Sequence, residues 1–355
     1  MKKKLLAVLV TISMFGTCLA GCGNLSSSGN VSTDASQQKS ASSDSDGEAS
    51  TDDGNKERTA SETEFKLGIS INALDATTNR KMFQSAQSYA EELGIEVMAT
   101  NAGDTAKQAE DIENLVQSGC NAIIVQNADS SVCANAIKEA SDAGVYIISE
   151  ESGWMDGVDT MISLNSFKTG AEMCNIVFAN IGYKGKIIIT GHNDHPTVRA
   201  HLNEFKIMAE EYSGIEIVNE VHTVYPGTTG VTYEGCASAL VQNPDISAIL
   251  CSQDLEALGA VQALKEAGLY PNVKVCGHDG NLDVLNEIKA DDCVIMTIYP
   301  DTVKTTKLAV DAAVKLVNGE TVNPYYEEPY VVVDDSNVDE YIALAKEDED
   351  KYASK

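Results

Sequence analysis

Residues 122–149 read AIIVQNADSSVCANAIKEASDAGVYIIS. Ala122–Val125 is a short, continuous apolar run, and Val145–Ser149 is a second. Between them apolar side chains recur at helical spacing as far as Ala143, and Gly144 follows as a stop signal. A strand that is apolar on both sides of its pleat belongs to a sheet covered on both faces. Strand, helix, strand therefore predicts a parallel pair joined by a right-handed crossover. Gln126, Asn127 and Asp129 follow the first strand. Open parallel sheets bind ligands beyond such carboxyl ends.

The same unit recurs on both sides. Upstream lie Phe65–Ile71 with a helix to Leu93, and Ile95–Thr100 with a helix to about Ser118. Downstream, helices follow Lys186–Thr190, Ile215–Val221, Ile246–Leu250, Val273–Cys276 and Val294–Tyr299. Roughly ten strands is many for one open sheet, so the expected α/β fold has two parallel sheets, one per lobe. No dinucleotide glycine fingerprint follows Ser70-Ile71-Asn72-Ala73-Leu74, and no GxxxxGK[ST] occurs, which disfavours a nucleotide enzyme.

Nearly every strand end is polar. The first is followed by Asn72, Asp75, Thr77, Thr78 and Asn79, and the fourth by Glu150, Glu151 and Trp154. The sixth leads to His192, Asn193, Asp194 and His195, with Arg199 one turn further on. Later ends supply Tyr225, then Ser252, Gln253 and Asp254, then His278 and Asp279, then Tyr299 and Asp301. Amides and carboxylates exchange hydrogen bonds with neighbouring hydroxyls, and rings cover the apolar faces of sugars. Asp254 and Asp279 can equally be helix caps, so the set carries the argument rather than any member. His192-x-Asp194-His195 has no HExxH or comparable helical pair beside it. Zinc catalysis needs three ligands in fixed geometry, so neither an enzyme nor a bound metal or cofactor is expected.

The amino end differs in kind. Lys2, Lys3 and Lys4 precede an apolar stretch from Leu5 to about Phe15, too short to span a bilayer. Leu19-Ala20-Gly21-Cys22 resembles the lipobox of bacterial lipoproteins. That resemblance implies a signal peptide over 1–21, cleavage before Cys22, and acylation of Cys22. Residues 23–63 are rich in Ser, Thr, Asp, Gly, Gln and Lys, with only Leu25 and Val31 as sizeable apolar groups. Such a segment cannot offset its chain entropy by burial, and 22–63 is expected to be a lipidated, disordered tether. The net charge of −29 becomes three units more negative when the leader lysines go. That acidity argues against nucleic acid and anionic lipid as partners. Of nine cysteines, Cys120, Cys133, Cys174, Cys236, Cys251, Cys276 and Cys293 remain for the folded part. Most sit in apolar runs and are expected as reduced core thiols, one disulfide remaining open.

From about Phe65 to Val333 the chain resembles the class I periplasmic sugar-binding proteins, the ribose- and glucose/galactose-binding group. The resemblance rests on Pro244-Asp245-Ile246-Ser247-Ala248-Ile249, Gln253-Asp254, and Leu258-Gly259-Ala260-Val261-Gln262-Ala263-Leu264. Val275-Cys276-Gly277-His278-Asp279-Gly280 follows in order. Gly191-His192-Asn193-Asp194 with Arg199 is similar to the glucose/galactose type, with one extra residue before the arginine. The resemblance implies two hinged Rossmann-like lobes, 64–165 plus 299–323 and 166–298 plus 324–355. The chain would cross near Asn165, Tyr299 and Asn323. Ligand contacts would fall at Gln126, Glu150, Asn165, Arg199, Gln253 and Asp279, with a stacking ring near Tyr225. His192 and Asp194 carry over from the glucose/galactose pattern, and Asp75, Thr77, Asn79, Trp154 and Tyr299 complete the candidate set.

This chain departs from the pattern in two places. No aromatic residue lies between Asp75 and Lys81, where sugar binders place a ring, and Trp154 could either stack from another loop or cap the lobe surface. Asn180-Ile181-Gly182-Tyr183-Lys184-Gly185 lacks the alternating carboxylates of a calcium loop. The implied protein is a monomeric, lipid-anchored receptor on the outer face of the cell membrane. It would deliver a small polar ligand, a monosaccharide first of all, to an ABC transporter permease. A receptor for a membrane kinase or chemoreceptor, and a nucleoside or amino-bearing ligand, remain open alternatives. The adjacent acids Glu150-Glu151 are what keep the amino-bearing ligand in view.

Overall fold

The computed structural model describes residues 65–74, 76–193, 195–224, 227–290 and 293–352. The expected leader, Cys22, the tether, and Asp75, Asp194 and Tyr225 lie outside the described residues.

The chain starts with β1 (Lys66–Ile71), α1 (Thr77–Glu92), β2 (Glu96–Asn101), α2 (Thr105–Gln117) and β3 (Ala122–Gln126). α3 (Ser130–Asp142), β4 (Tyr146–Glu150) and β5 (Thr160–Ser163) complete this run. The second run is α4 (Ser166–Asn180), β6 (Gly185–Gly191), α5 (Pro196–Glu211), β7 (Ile215–His222) and α6 (Thr228–Gln242). It continues with β8 (Ile246–Cys251), α7 (Asp254–Ala267), β9 (Lys274–His278), α8 (Leu282–Ala290) and β10 (Val294–Pro300). α9 (Thr302–Val317), β11 (Tyr325–Glu327), β12 (Tyr330–Val333) and α10 (Val338–Lys351) follow.

Two six-stranded sheets result, in the orders β11-β5-β4-β3-β1-β2 and β12-β10-β9-β8-β6-β7. Every pair is parallel except β10 with β12. β3 shows why its sequence is continuously apolar. Ala122 and Ile124 pack with Phe83 of α1 and Val310 of α9 on one face. Ile123 and Val125 pack with Ile112 of α2 and Ile137 of α3 on the other. Full burial of a side chain the size of Ile contributes about 1.5–3 kcal/mol, so both faces drive assembly. The second sheet repeats the arrangement, with Ile188 on one face and Ile187 and Ile189 on the other. All seven described cysteines are free and buried.

The chain changes sheets three times. It leaves the first sheet after Ser163, returns after Pro300 so that α9 packs on the first core, and crosses finally between β11 and β12. The last crossing is later than the expected Asn323. β11 pairs with β5, and Glu328 N–H donates to Ser163 O, so residues 324–327 belong to the first lobe. β11 is largely exposed and held by backbone pairing, which leaves no apolar run to mark it in sequence.

Candidate functional site

The carboxyl ends of both sheets enclose a cavity of about 290 Å³. That lies near the lower end of small-molecule sites, which run about 300–1,000 Å³, and suits a small solute. The first lobe contributes Asn72, Asn79, Asn127 and Glu151, and the second His192, His195, Gln253, His278 and Asp279. Pro300, Thr302 and Glu328 reach it from the crossover segments.

Backbone geometry presents several of these groups. Asn127, Glu151 and Asp279 have φ of 51°, 53° and 121°. Left-handed conformations in residues other than glycine cost free energy and persist where surrounding structure enforces them. Each of the three directly follows a strand, β3, β4 or β9. Around Asp279 the enforcement is visible. A side chain at Gly277 would collide with the Asp254 carboxylate, and one at Gly280 with the Tyr299 ring. Asp254 accepts from Asn281 N at 2.6 Å and from Thr297 Oγ1 at 2.8 Å, which pins the loop between β9 and α8.

The cavity is acidic, and burial sets its titration. Burial raises the carboxyls of both Glu151 and Glu328, which are hydrogen-bonded to each other. Burial pushes Asp279 up to about 7 and Asp254, beside it, well above the carboxylate range. Burial pulls His195 and His278 down to about 4, so both imidazoles are neutral at pH 7. His278 Nδ1 lies 2.9 Å from Asp279 Oδ1. Asn72 Oδ1, His195 Nδ1 and His278 Nε2 are buried with no hydrogen-bond partner from the protein. A buried polar atom left unpaired costs about 1–3 kcal/mol, so these atoms mark where a guest would bond.

The sequence-derived candidates divide by position. Asn79, His192, Gln253 and Asp279 line the cavity. Thr77 and Tyr299 line a smaller cavity of about 30 Å³ that shares Asp279 with it. Gln126 and Glu150 lie one layer below: Gln126 Nε2 donates to Glu150 Oε2 at 2.8 Å, and Thr306 Oγ1 to Glu150 Oε1 at 2.6 Å. Burial pushes Glu150 up to about 7. Asn165 caps α4 by accepting from Lys168 N. Arg199 donates to the Asn193 carbonyl and does not line the cavity. Trp154 is 56% exposed and stands outside it. Glu328 was missed because the strand it follows, β11, is short and largely exposed and has no apolar run to mark it in sequence.

Two lobes, three crossings and a polar cavity at the facing strand ends define a hinged solute-binding protein. The periplasmic binding protein domain matches residues 67–321, and the chain belongs to that family, within its class I sugar-binding group. These are solute-binding proteins rather than enzymes. The chain is 26% identical over 269 residues to the ribose import binding protein of Bacillus subtilis, covering 75% of this chain and 86% of that one. It is 26% identical over 265 residues to the D-xylose-binding periplasmic protein of Escherichia coli, covering 72% and 79%. A solute-binding protein of Bacillus halodurans with bound myo-inositol superposes with a TM-score of 0.73 at 25% identity, covering 80% of this chain and 99% of that one.

Proposed function

We propose that this protein captures a small, hydroxyl-rich solute, a monosaccharide or related polyol, between its two lobes and delivers it to an ABC importer. The observation that carries this reading is the cavity of about 290 Å³, to which both lobes bring amides, imidazoles and carboxylates. Only the closed form offers a guest both sets of partners, so binding favours closure. The relatives are named for ribose import, D-xylose binding and bound myo-inositol, each a polyhydroxylated small molecule. In the same reading Cys22 carries the lipid that holds the receptor to the outer face of the membrane. The polar segment up to residue 63 would serve as its tether, and the receptor would act as a monomer.

A thermal-shift screen of the purified protein against monosaccharides, polyols, nucleosides and amino compounds tests the ligand class. A ligand bound only by the folded state raises Tm. A response to sugars or polyols supports the proposal, and a response confined to nucleosides replaces the ligand class. Mass spectrometry of the membrane-extracted protein tests the anchor, since acylated Cys22 would be the first residue.

A further inference from the structure

The charge of the cavity is one-sided. Among the described residues no lysine or arginine lines it, whereas Asp129, Glu151, Asp279 and Glu328 do. Asp129 is occupied by the first turn of α3, where it accepts from Ser131 N. Two cations stand outside it: Lys81 pairs with Asp348 and lines the adjoining small cavity that shares Asp279, and Arg199 donates to the Asn193 carbonyl while its charge acts on Asp129 and His195. The three remaining acids come from opposite sides, Glu151 and Glu328 beside the crossovers and Asp279 from the end of β9.

A second observation concerns polar atoms other than the carboxylates. His278 is 5% exposed, lines the cavity, and has no protein partner for Nε2. With Asp279 ionised, Nδ1–H donates to the carboxylate and Nε2 is left as an acceptor. Asn72 Oδ1 is another acceptor without a partner. A neutral sugar offers donors and acceptors in equal measure. An ammonium offers three donors, a positive charge and no acceptor, which is the complement of this wall.

We infer that the hydroxylated ligand carries a protonated amine, held by Asp279 and His278 and facing the Glu151–Glu328 pair. The inference rests on the receptor reading above and specifies its ligand. Desolvation pushes Asp279 up to about 7, and a cation arriving beside it favours the ionised form, so binding releases protons and strengthens as pH rises from 5 to 7. The groups around these acids that enter the same balance are Asp254 behind Asp279, Glu150 beside Glu151 and Glu328, the neutral imidazoles of His195 and His278, and His192, Arg199 and Asp129, whose charges act on His195.

Titration calorimetry on the intact purified protein at pH 7 compares matched pairs. These are D-glucose with D-glucosamine, D-galactose with D-galactosamine, D-mannose with D-mannosamine, and D-glucitol with 1-amino-1-deoxy-D-glucitol. The expected result is that the amine of at least one pair binds about tenfold or more tighter than its neutral partner. Glu151→Gln should narrow that preference. Repeating the wild-type titration at pH 6 in two buffers of different ionisation enthalpy should show net proton release, a readout that needs no variant. Neutral partners that bind as well as or better than the amines, or amine binding without proton release, overturn the inference and leave the receptor reading standing. No binding by any member of any pair overturns both.

Discussion

Lys81 of α1 and Asp348 of α10 join the two lobes, with Nζ 2.6 Å from Oδ2. α1 packs in the core of the first sheet through Phe83, Ala86 and Ala90. α10 packs in that of the second through Val338, Ile342 and Ala345. The Tyr299 hydroxyl lies 3.1 Å from the same Asp348 oxygen, so a residue at the end of β10 is part of the contact. Arg80 adds a second link by donating to the Tyr352 carbonyl. The Lys81 and Asp348 side chains are only 10% and 20% exposed, so the pair is shielded from the screening that weakens surface pairs.

Asp348→Asn leaves the Lys81 ammonium near-buried with a neutral partner. The expected cost is about 1–2 kcal/mol, read as a Tm lower by a few degrees and weaker ligand binding from a less stable closed form. An unchanged Tm would show that water replaces the contact freely.

Asp279→Asn keeps a residue type that tolerates positive φ and removes the charge facing the cavity. Ligand affinity should fall at least about tenfold, or 1.4 kcal/mol, with an unchanged far-ultraviolet circular dichroism spectrum. Retained affinity would remove Asp279 from the site.

Glu150 gives a different signature because it lies beneath the cavity and bonds to Gln126 and Thr306. Its carboxyl is raised by burial from 4.5 to about 7, so the folded state binds the proton more tightly than the unfolded chain does. Its contribution to stability is present below pH 4.5 and is lost as pH rises through 7, by up to about 3 kcal/mol. Glu150→Gln should flatten the fall in Tm between pH 5 and 7. A profile identical to wild type would show that Glu150 ionises as freely folded as unfolded.

Trp154 is the only tryptophan, and it stands outside the cavity with 56% of its surface exposed. Its emission should be that of a solvated indole and change little when ligand saturates the protein. A blue shift on binding would place the ring under a moving lobe.

The seven described cysteines are free, and burial pushes Cys120 and Cys133 up to about 11. The thiolate is the reacting form, so the native protein should resist a thiol reagent at pH 7. Denaturation should release all seven thiols. Fewer than seven after denaturation without reductant would reveal a disulfide.

Sequence by itself determined the layered α/β fold. Runs such as Ala122–Val125 are apolar at every position, and only a sheet covered on both faces buries them all. It also determined that the strand ends are polar, because backbone leaving a sheet must be capped and hydrated. Tertiary structure decided which of those polar neighbours face the cavity. Glu150 and Glu151 are equivalent in composition, but Glu150 ends β4 and turns into the core toward Thr306, while Glu151 takes φ of 53° and lines the cavity. The same holds for Glu328, far from the β4 end in sequence, which reaches Glu151 only because β11 pairs with β5 and brings the last crossover to the cleft. Local pattern reports burial and period. Which neighbour faces a cavity depends on a backbone sign, at Glu151 held by bonds to Ile162 and Leu164, and on a strand pairing, β11 with β5, that joins residues more than a hundred positions apart.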